Sequence, residues 1–169
     1  MADAKDWRRA FAIQAKADLT VRDVLCLRPE VEECQQFHYL QMACEKLVKA
    51  HLFTQADVPK YVFTRHAVVA KHLPRIVGEY YRRWKRKPLP HAMMRRMKAL
   101  SREIELLAPA VKDAGRKQQN CEYPWEGPQR IVRCPAMDRC TSINLNRDYE
   151  GRLLLQLLPE IVGELCDSD

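Results

Sequence analysis

Residues 34–53, CQQFHYLQMACEKLVKAHLF, restrict what this chain can become more than any other stretch. Phe37, Leu40, Cys44, Leu47 and His51 recur in steps of three and four, the period of one helical face, and Val48 and Leu52 widen that stripe. Tyr39, Ala43 and Ala50 carry apolar surface to the other side. No glycine or proline interrupts the run. Its plainly polar residues are Gln35, Gln36, Glu45, Lys46 and Lys49, and Glu45 precedes Lys49 by four positions, the favourable order for an ion pair on a helix surface. A helix apolar on more than one side needs neighbours on both flanks. The spacing therefore predicts a central helix, reaching over residues 30–55 once its flanks are added.

The rest of the chain supplies four helices to surround it. Over residues 5–27, Trp7, Phe11, Ile13, Ala17, Val21, Val24 and Leu25 share one broad face at about 100° per residue, which is expected to meet the core. Arg8, Arg9, Lys16 and Asp23 point the other way. Asp18 falls by angle beside Phe11 and Leu25; a local pair with Arg22 is the favoured expectation, and a bond to a neighbouring helix is the alternative. Arg28-Pro29 closes this helix, and Pro29 can open the next. A third helix is expected to start near Thr64 and to carry Val68, Val69, Leu73, Ile76, Val77 and Tyr80, with a kink or split at Pro74. A fourth, over residues 91–107, turns Met93, Met94, Met97, Leu100, Ile104 and Leu107 inward. Residues 115–146 read as irregular, either packed by their own Tyr123 and Trp125 or functional. The last helix, over residues 146–165, carries Leu154, Leu157, Leu158, Ile161 and Leu165 and bends at Pro159. No segment alternates with period two over strand length. The expected fold is all-α: one domain of 169 residues, a bundle of about five helices with a long irregular segment before the last.

Composition narrows the function classes. A net charge of +7 and a pI near 9.1 permit an anionic partner without choosing among nucleic acid, a membrane surface and simple solubility. From Arg75 to Arg102, ten Lys or Arg stand against one acid, Glu79, with Tyr80, Tyr81 and Trp84 among them. Arg82, Arg83, Lys85, Arg86, Lys87 and Arg95 are candidate phosphate contacts, with the aromatics as stacking surfaces. A solvated helix end whose aromatics face the core is the plainer and favoured reading. Seven cysteines without a CxxC indicate reduced thiols in a cytoplasmic protein, not a disulfide framework or a zinc site. His66 and His72 are six apart and do not share a helical face; with no HExxH, no metal is expected. His38 and His51 are expected to be packed on the central helix. No Walker loop, dinucleotide loop or GxSxG occurs, so no cofactor is expected. The N-terminus has no apolar signal core and LLLQLL is too short to span a bilayer, so no membrane association is expected.

The order of three segments, QAKADLTVRDVL, FHYLQMACEKLVKAHLF and TRHAVVAKHLPRIV, resembles the HEPN domain family. Asp18-Leu19 matches the Asp-Leu pair of the family's alanine-rich first helix. Gln41, Ala43, Glu45-Lys46 and Lys49-Ala50 match its second helix, and His66 or His72 its following histidine segment. The match is clearest over residues 7–80, and Tyr123-Pro124 and the leucine-rich last helix fit again. The resemblance implies a single four- to five-helix domain, a homodimer, and a partner such as a nucleotidyltransferase or another defence or toxin–antitoxin component. The apolar sides of the central helix, more than one small bundle needs, point to a homodimer as well.

A subset of HEPN domains are metal-independent ribonucleases or toxins, with an Arg, four to six residues, then a His from each protomer at the dimer interface. The His serves as general acid or base and the Arg stabilises phosphate charge. Arg65 with His72, and Arg86 with His91, have that spacing but fall early in the chain. Where the family places the motif, the chain reads RKQQNCEY, with Cys121 in place of the His of toxin members, and no histidine follows His91. A thiol, with a pKa of about 8.5 and one proton site, is a poor proton shuttle. The favoured function is a non-catalytic, dimeric HEPN-type interaction module. One alternative is a metal-independent HEPN ribonuclease using Arg65 with His72, then Arg116 with Tyr123. Another is a basic helical protein that binds RNA or a nucleotide.

Overall fold

The computed structural model describes residues 3–55, 58, 62–63, 67–108, 119–141 and 143–167. Among them are five helices: α1 (Ala4–Cys26), α2 (Glu33–Leu52), α3 (Val69–Lys85), α4 (His91–Leu106) and α5 (Tyr149–Asp167). The chain is an all-α bundle. Among the described residues the one sheet is a short antiparallel pair in the segment before α5, β1 (Trp125–Glu126) with β2 (Val132–Arg133), in which Trp125 faces Arg133. Strands of two residues each are too short to leave a period-two signature in sequence.

Side chains satisfy the first turns of three of these helices. Asp3 caps α1: its carboxylate accepts from the Asp6 N–H at 2.8 Å, and the Asp6 carboxylate accepts from the Asp3 N–H. Pro29 does not open α2. It sits in a turn, Glu32 is the N-cap, and α2 begins at Glu33. Thr64 lies outside the described residues; α3 begins at Val69 and runs unbroken through Pro74, which has no N–H to offer the carbonyl one turn back. Val68 supplies no side-chain cap, and Glu105 of α4 accepts from the Ala70 N–H instead, at 2.9 Å. Asp148 caps α5 through the Gly151 N–H at 2.8 Å and also holds Arg96 of α4. A Cβ at position 151 would strike the Leu145 carbonyl, so this turn requires glycine.

α2 is the central helix. Every residue from 43 to 52 is buried except Lys46 and His51, which are half-buried. Leu40, Leu47 and Leu52 meet Leu73 of α3, Met97, Leu100 and Ile104 of α4, and Leu154, Leu157 and Leu158 of α5 in one core. These sides are covered within one chain, so α2 does not provide the spare apolar surface on which a homodimer was expected.

α1 departs from expectation. It packs chiefly on α2 and, less extensively, on α5. Its inward side is Ala12, Ala15, Asp18 and Leu19. Ile13, Val21 and Val24, expected inside, are 53%, 37% and 50% exposed, and Ala17 is exposed too. Two features favour this orientation. Ala12 and Ala15 let the α1 backbone approach closely, and Ala43 and Ala50 flank Lys46 on one side of α2. Asp18 takes the Lys46 ammonium at 2.7 Å and the Gln14 amide at 3.1 Å, so the carboxylate reaches across to α2. The local pair with Arg22 does not form, and Arg22 binds Asp23. The Glu45–Lys49 pair exists at 2.8 Å, but with its side chains only 5% and 6% exposed it is an interior pair. Gln41 extends it at 3.4 Å, and the Lys49 ammonium lies 5.8 Å from the centre of the Phe11 ring.

Candidate functional site

His72 lies one turn into α3 and is 8% exposed. Burial pushes its imidazole below the ordinary value, and the charges of Lys71, Arg75 and His51 add to that. The ring is held neutral at neutral pH, facing the bundle. Arg65 and Arg116, the arginines of the two expected pairs, lie outside the described residues, as does His66. Tyr123 is 48% exposed on the segment after α4, beside Glu122, whose carboxylate lies 3.1 Å from His38 Nδ1 of α2. His72 and Tyr123 thus belong to different surroundings, the first among α3 cations, the second on a loop laid against α2. Arg86 and His91 are both exposed; Arg86 ends α3 in the left-handed conformation, φ 54°.

The loop that stands where a family ribonuclease motif would fall is tied down by its own polar groups. Asn120, fully buried, accepts from the N–H groups of Glu122 and Tyr123 at 2.9 and 2.7 Å. The Cys121 N–H and thiol both donate to the Leu107 carbonyl at the end of α4, at 2.8 and 2.9 Å. Burial drives that thiol far above its ordinary pKa, so Cys121 carries no thiolate at neutral pH. Trp125 packs inward, 7% exposed, while Tyr123 does not. Of the two aromatics expected to pack this segment, one does.

The six candidate phosphate contacts, Arg82, Arg83, Lys85, Arg86, Lys87 and Arg95, are all exposed and gather where α3 turns into α4. Arg83 is occupied: Glu164 of α5 accepts two hydrogen bonds from it at 2.7 and 2.8 Å, and its guanidinium lies over Tyr80. No carboxylate pairs with the other five among the described residues. Tyr81 faces the core, as the plainer reading required, but Trp84 is 44% exposed with the Lys85 ammonium 3.4 Å from its ring centre. The Met94 methyl of α4 sits over Gly78 of α3 here, and a Cβ at position 78 would come to 2.7 Å from it and displace it. Arg75 and Arg82 line the cleft of about 280 Å³ beside this contact.

A second cleft, of about 190 Å³, opens between α2, α3 and α5 and brings acids, a histidine and an arginine together from three helices. His51, Glu79, Tyr80, Arg83 and Glu164 line it. His51 Nε2 stands 3.8 Å from Glu79, whose other oxygen is 3.6 Å from Arg75. Burial lowers the His51 pKa, Glu79 opposes the shift, and Arg75 and Arg83 reinforce it. Reading His51 as packed was half right, since it is half-buried but borders this opening. Nothing local in sequence links it to Glu79 or Glu164, which arrive on other helices. The guanidinium of Arg83 is already held by Glu164, so the cleft does not offer an anion a free cation at that position.

Among the described residues, no group of three or more His, Cys, Asp or Glu is arranged to hold a metal ion, and no helix is long and apolar enough to cross a membrane. No protein-family model, curated protein or solved structure matches the chain.

Proposed function

We propose that the chain is a non-catalytic interaction module of HEPN type, dimeric and working with a partner protein such as a nucleotidyltransferase or a defence or toxin–antitoxin component. The observation that carries this reading is the use made of the residues in the resemblance. Asp18 binds Lys46 across the α1–α2 contact, and Gln41, Glu45 and Lys49 form a buried ladder along α2. They hold helices together, and Asp18, Gln41, Glu45 and Lys49 are buried. The chemically able groups support the same reading: His72 is buried, and the Cys121 thiol is bound to a carbonyl. The test is incubation of a metal-free sample with a structured RNA, alongside His72→Gln and Tyr123→Phe, each checked for unchanged helix content. No cleavage by any of the three is expected. Cleavage by the natural chain that disappears in either variant would instead establish the ribonuclease alternative.

A second reading, polyanion binding at the α3–α4 corner, is favoured by the exposed cations beside Trp84. Arg82, Lys85, Arg86, Lys87 and Arg95 are available to phosphates, and Trp84 can stack a base once Lys85 swings aside. Replacing Arg82, Lys85 and Arg86 together with Glu should abolish retention on RNA or heparin. For single strands the logarithm of affinity should fall with the logarithm of salt by about 0.7 per phosphate contacted. Retention unchanged by the triple variant would leave this corner as a solvated helix end.

A further inference from the structure

The outward side of α1 is an ordered seam. Ala10, Ile13, Ala17, Thr20, Val24 and Leu27, the last being the cap residue just past the helix, are spaced three, four, three, four and three apart, the alternation of a coiled-coil stripe, and all six are exposed. Ile13, Val24 and Leu27 are 53%, 50% and 80% exposed, and Val21 adjoins them at 37%. The Thr20 hydroxyl donates to the Lys16 carbonyl at 3.0 Å, so Thr20 can enter an apolar contact without losing a hydrogen bond. The opposite side of α1 is already fixed on α2 by Ala12, Ala15 and the Asp18–Lys46 pair. The helix therefore cannot roll to bury this stripe in its own bundle.

We infer that α1 pairs with α1 of a second copy of this chain, antiparallel, about a two-fold axis crossing near residues 18–19. The inference rests on the dimeric-module reading and names its surface. Charge and size both select this occupant and this direction. In the antiparallel register Ala10 faces Leu27, Ile13 faces Val24 and Ala17 faces Thr20, each small residue opposite a larger one. On the flank, Lys16 then comes beside Asp23 of the second copy, and the symmetry makes that pair twice. Lys16 is exposed with no carboxylate partner among the described residues; Asp23 is bound to Arg22 yet keeps 60% of its side chain exposed. Arranged in parallel, the same flank would set Lys16 beside Val21 and gain no charge pair. Two-fold pairing demands that the stripe be complementary to itself, and this one is.

Sedimentation equilibrium at micromolar concentration tests the inference. The natural chain should be a dimer, and Ile13→Glu should be a monomer with unchanged helix content, because Ile13 is already half exposed in the single chain. Lys16→Glu and Asp23→Lys should each weaken the dimer by about tenfold through like-charge contacts. The double variant K16E/D23K should regain most of that loss, a result that only the antiparallel register predicts. A monomeric natural chain, an Ile13→Glu variant that still dimerises, or a double variant no better than the singles would overturn it. RNA cleavage would overturn the non-catalytic reading while leaving these results as they stand, so the two failures are distinguishable.

Discussion

α1 and α2 adjoin in sequence and pack on each other, yet they distribute polarity in opposite ways. α2 buries nearly everything it carries between residues 43 and 52, including Glu45 and Lys49. α1 leaves Ile13, Val24 and Leu27 in solvent while burying Asp18. The difference follows from the number of neighbours. α2 is surrounded, so its charges must find partners inside the bundle, and Glu45–Lys49 and Lys46–Asp18 are those partners. α1 has the bundle on one side only, and the side chosen is the one with two alanines and a carboxylate opposite Lys46. Close approach and a completed ion pair outweighed the larger apolar area of the other face.

The comparison can be broken most severely by placing the same charge on each helix. Leu47→Asp should cost about 4 kcal/mol or more, enough to unfold a marginal domain, because the new carboxylate has no partner. Ile13→Asp should change stability by only about 0.5 kcal/mol, measured by urea denaturation at dilution. Equal losses would mean that the outward face of α1 is buried after all.

A smaller effect tests the polar contact between the helices. Lys46→Met leaves Asp18 buried with only Gln14 and should cost about 2 kcal/mol. Replacing both partners, Asp18→Leu with Lys46→Met, should recover most of that loss, since an apolar pair satisfies the same contact. A double variant as unstable as the single one would show that the pair holds the orientation of α1 as well as neutralising charge.

The mildest probe compares thiols and leaves the fold untouched. Cys26, at the end of α1, is exposed, whereas Cys44 in α2 is fully buried and its thiol is pushed up to about 12. Alkylation followed by mass spectrometry at pH 8 should label Cys26 quickly and Cys44 only as fast as the bundle opens. Comparable rates at both positions would contradict the closed packing of α2.

Much of the candidate chemistry was legible as residue type and little of it as place. The exposed cluster around Arg82, Lys85 and Arg86 was visible because cations close in sequence at a helix end stay close in space. The cleft of His51, Glu79 and Glu164 was not, because its walls come from three helices and no spacing rule connects them. The inertness of Cys121 was anticipated from the chemistry of a thiol, but the Leu107 carbonyl that binds it could be found only in three dimensions.

By itself the sequence determined that the chain is helical, where its helices run to within a few residues, and that residues 34–53 lie at the centre, because the helical period and the placement of Pro and Gly are local properties. Tertiary structure alone decided which side of α1 turns inward and that the Glu45–Lys49 pair is interior. The physical reason is that periodicity records how apolar a face is, whereas burial depends on what another helix brings to it: here two alanines that permit close approach, and a lysine for Asp18.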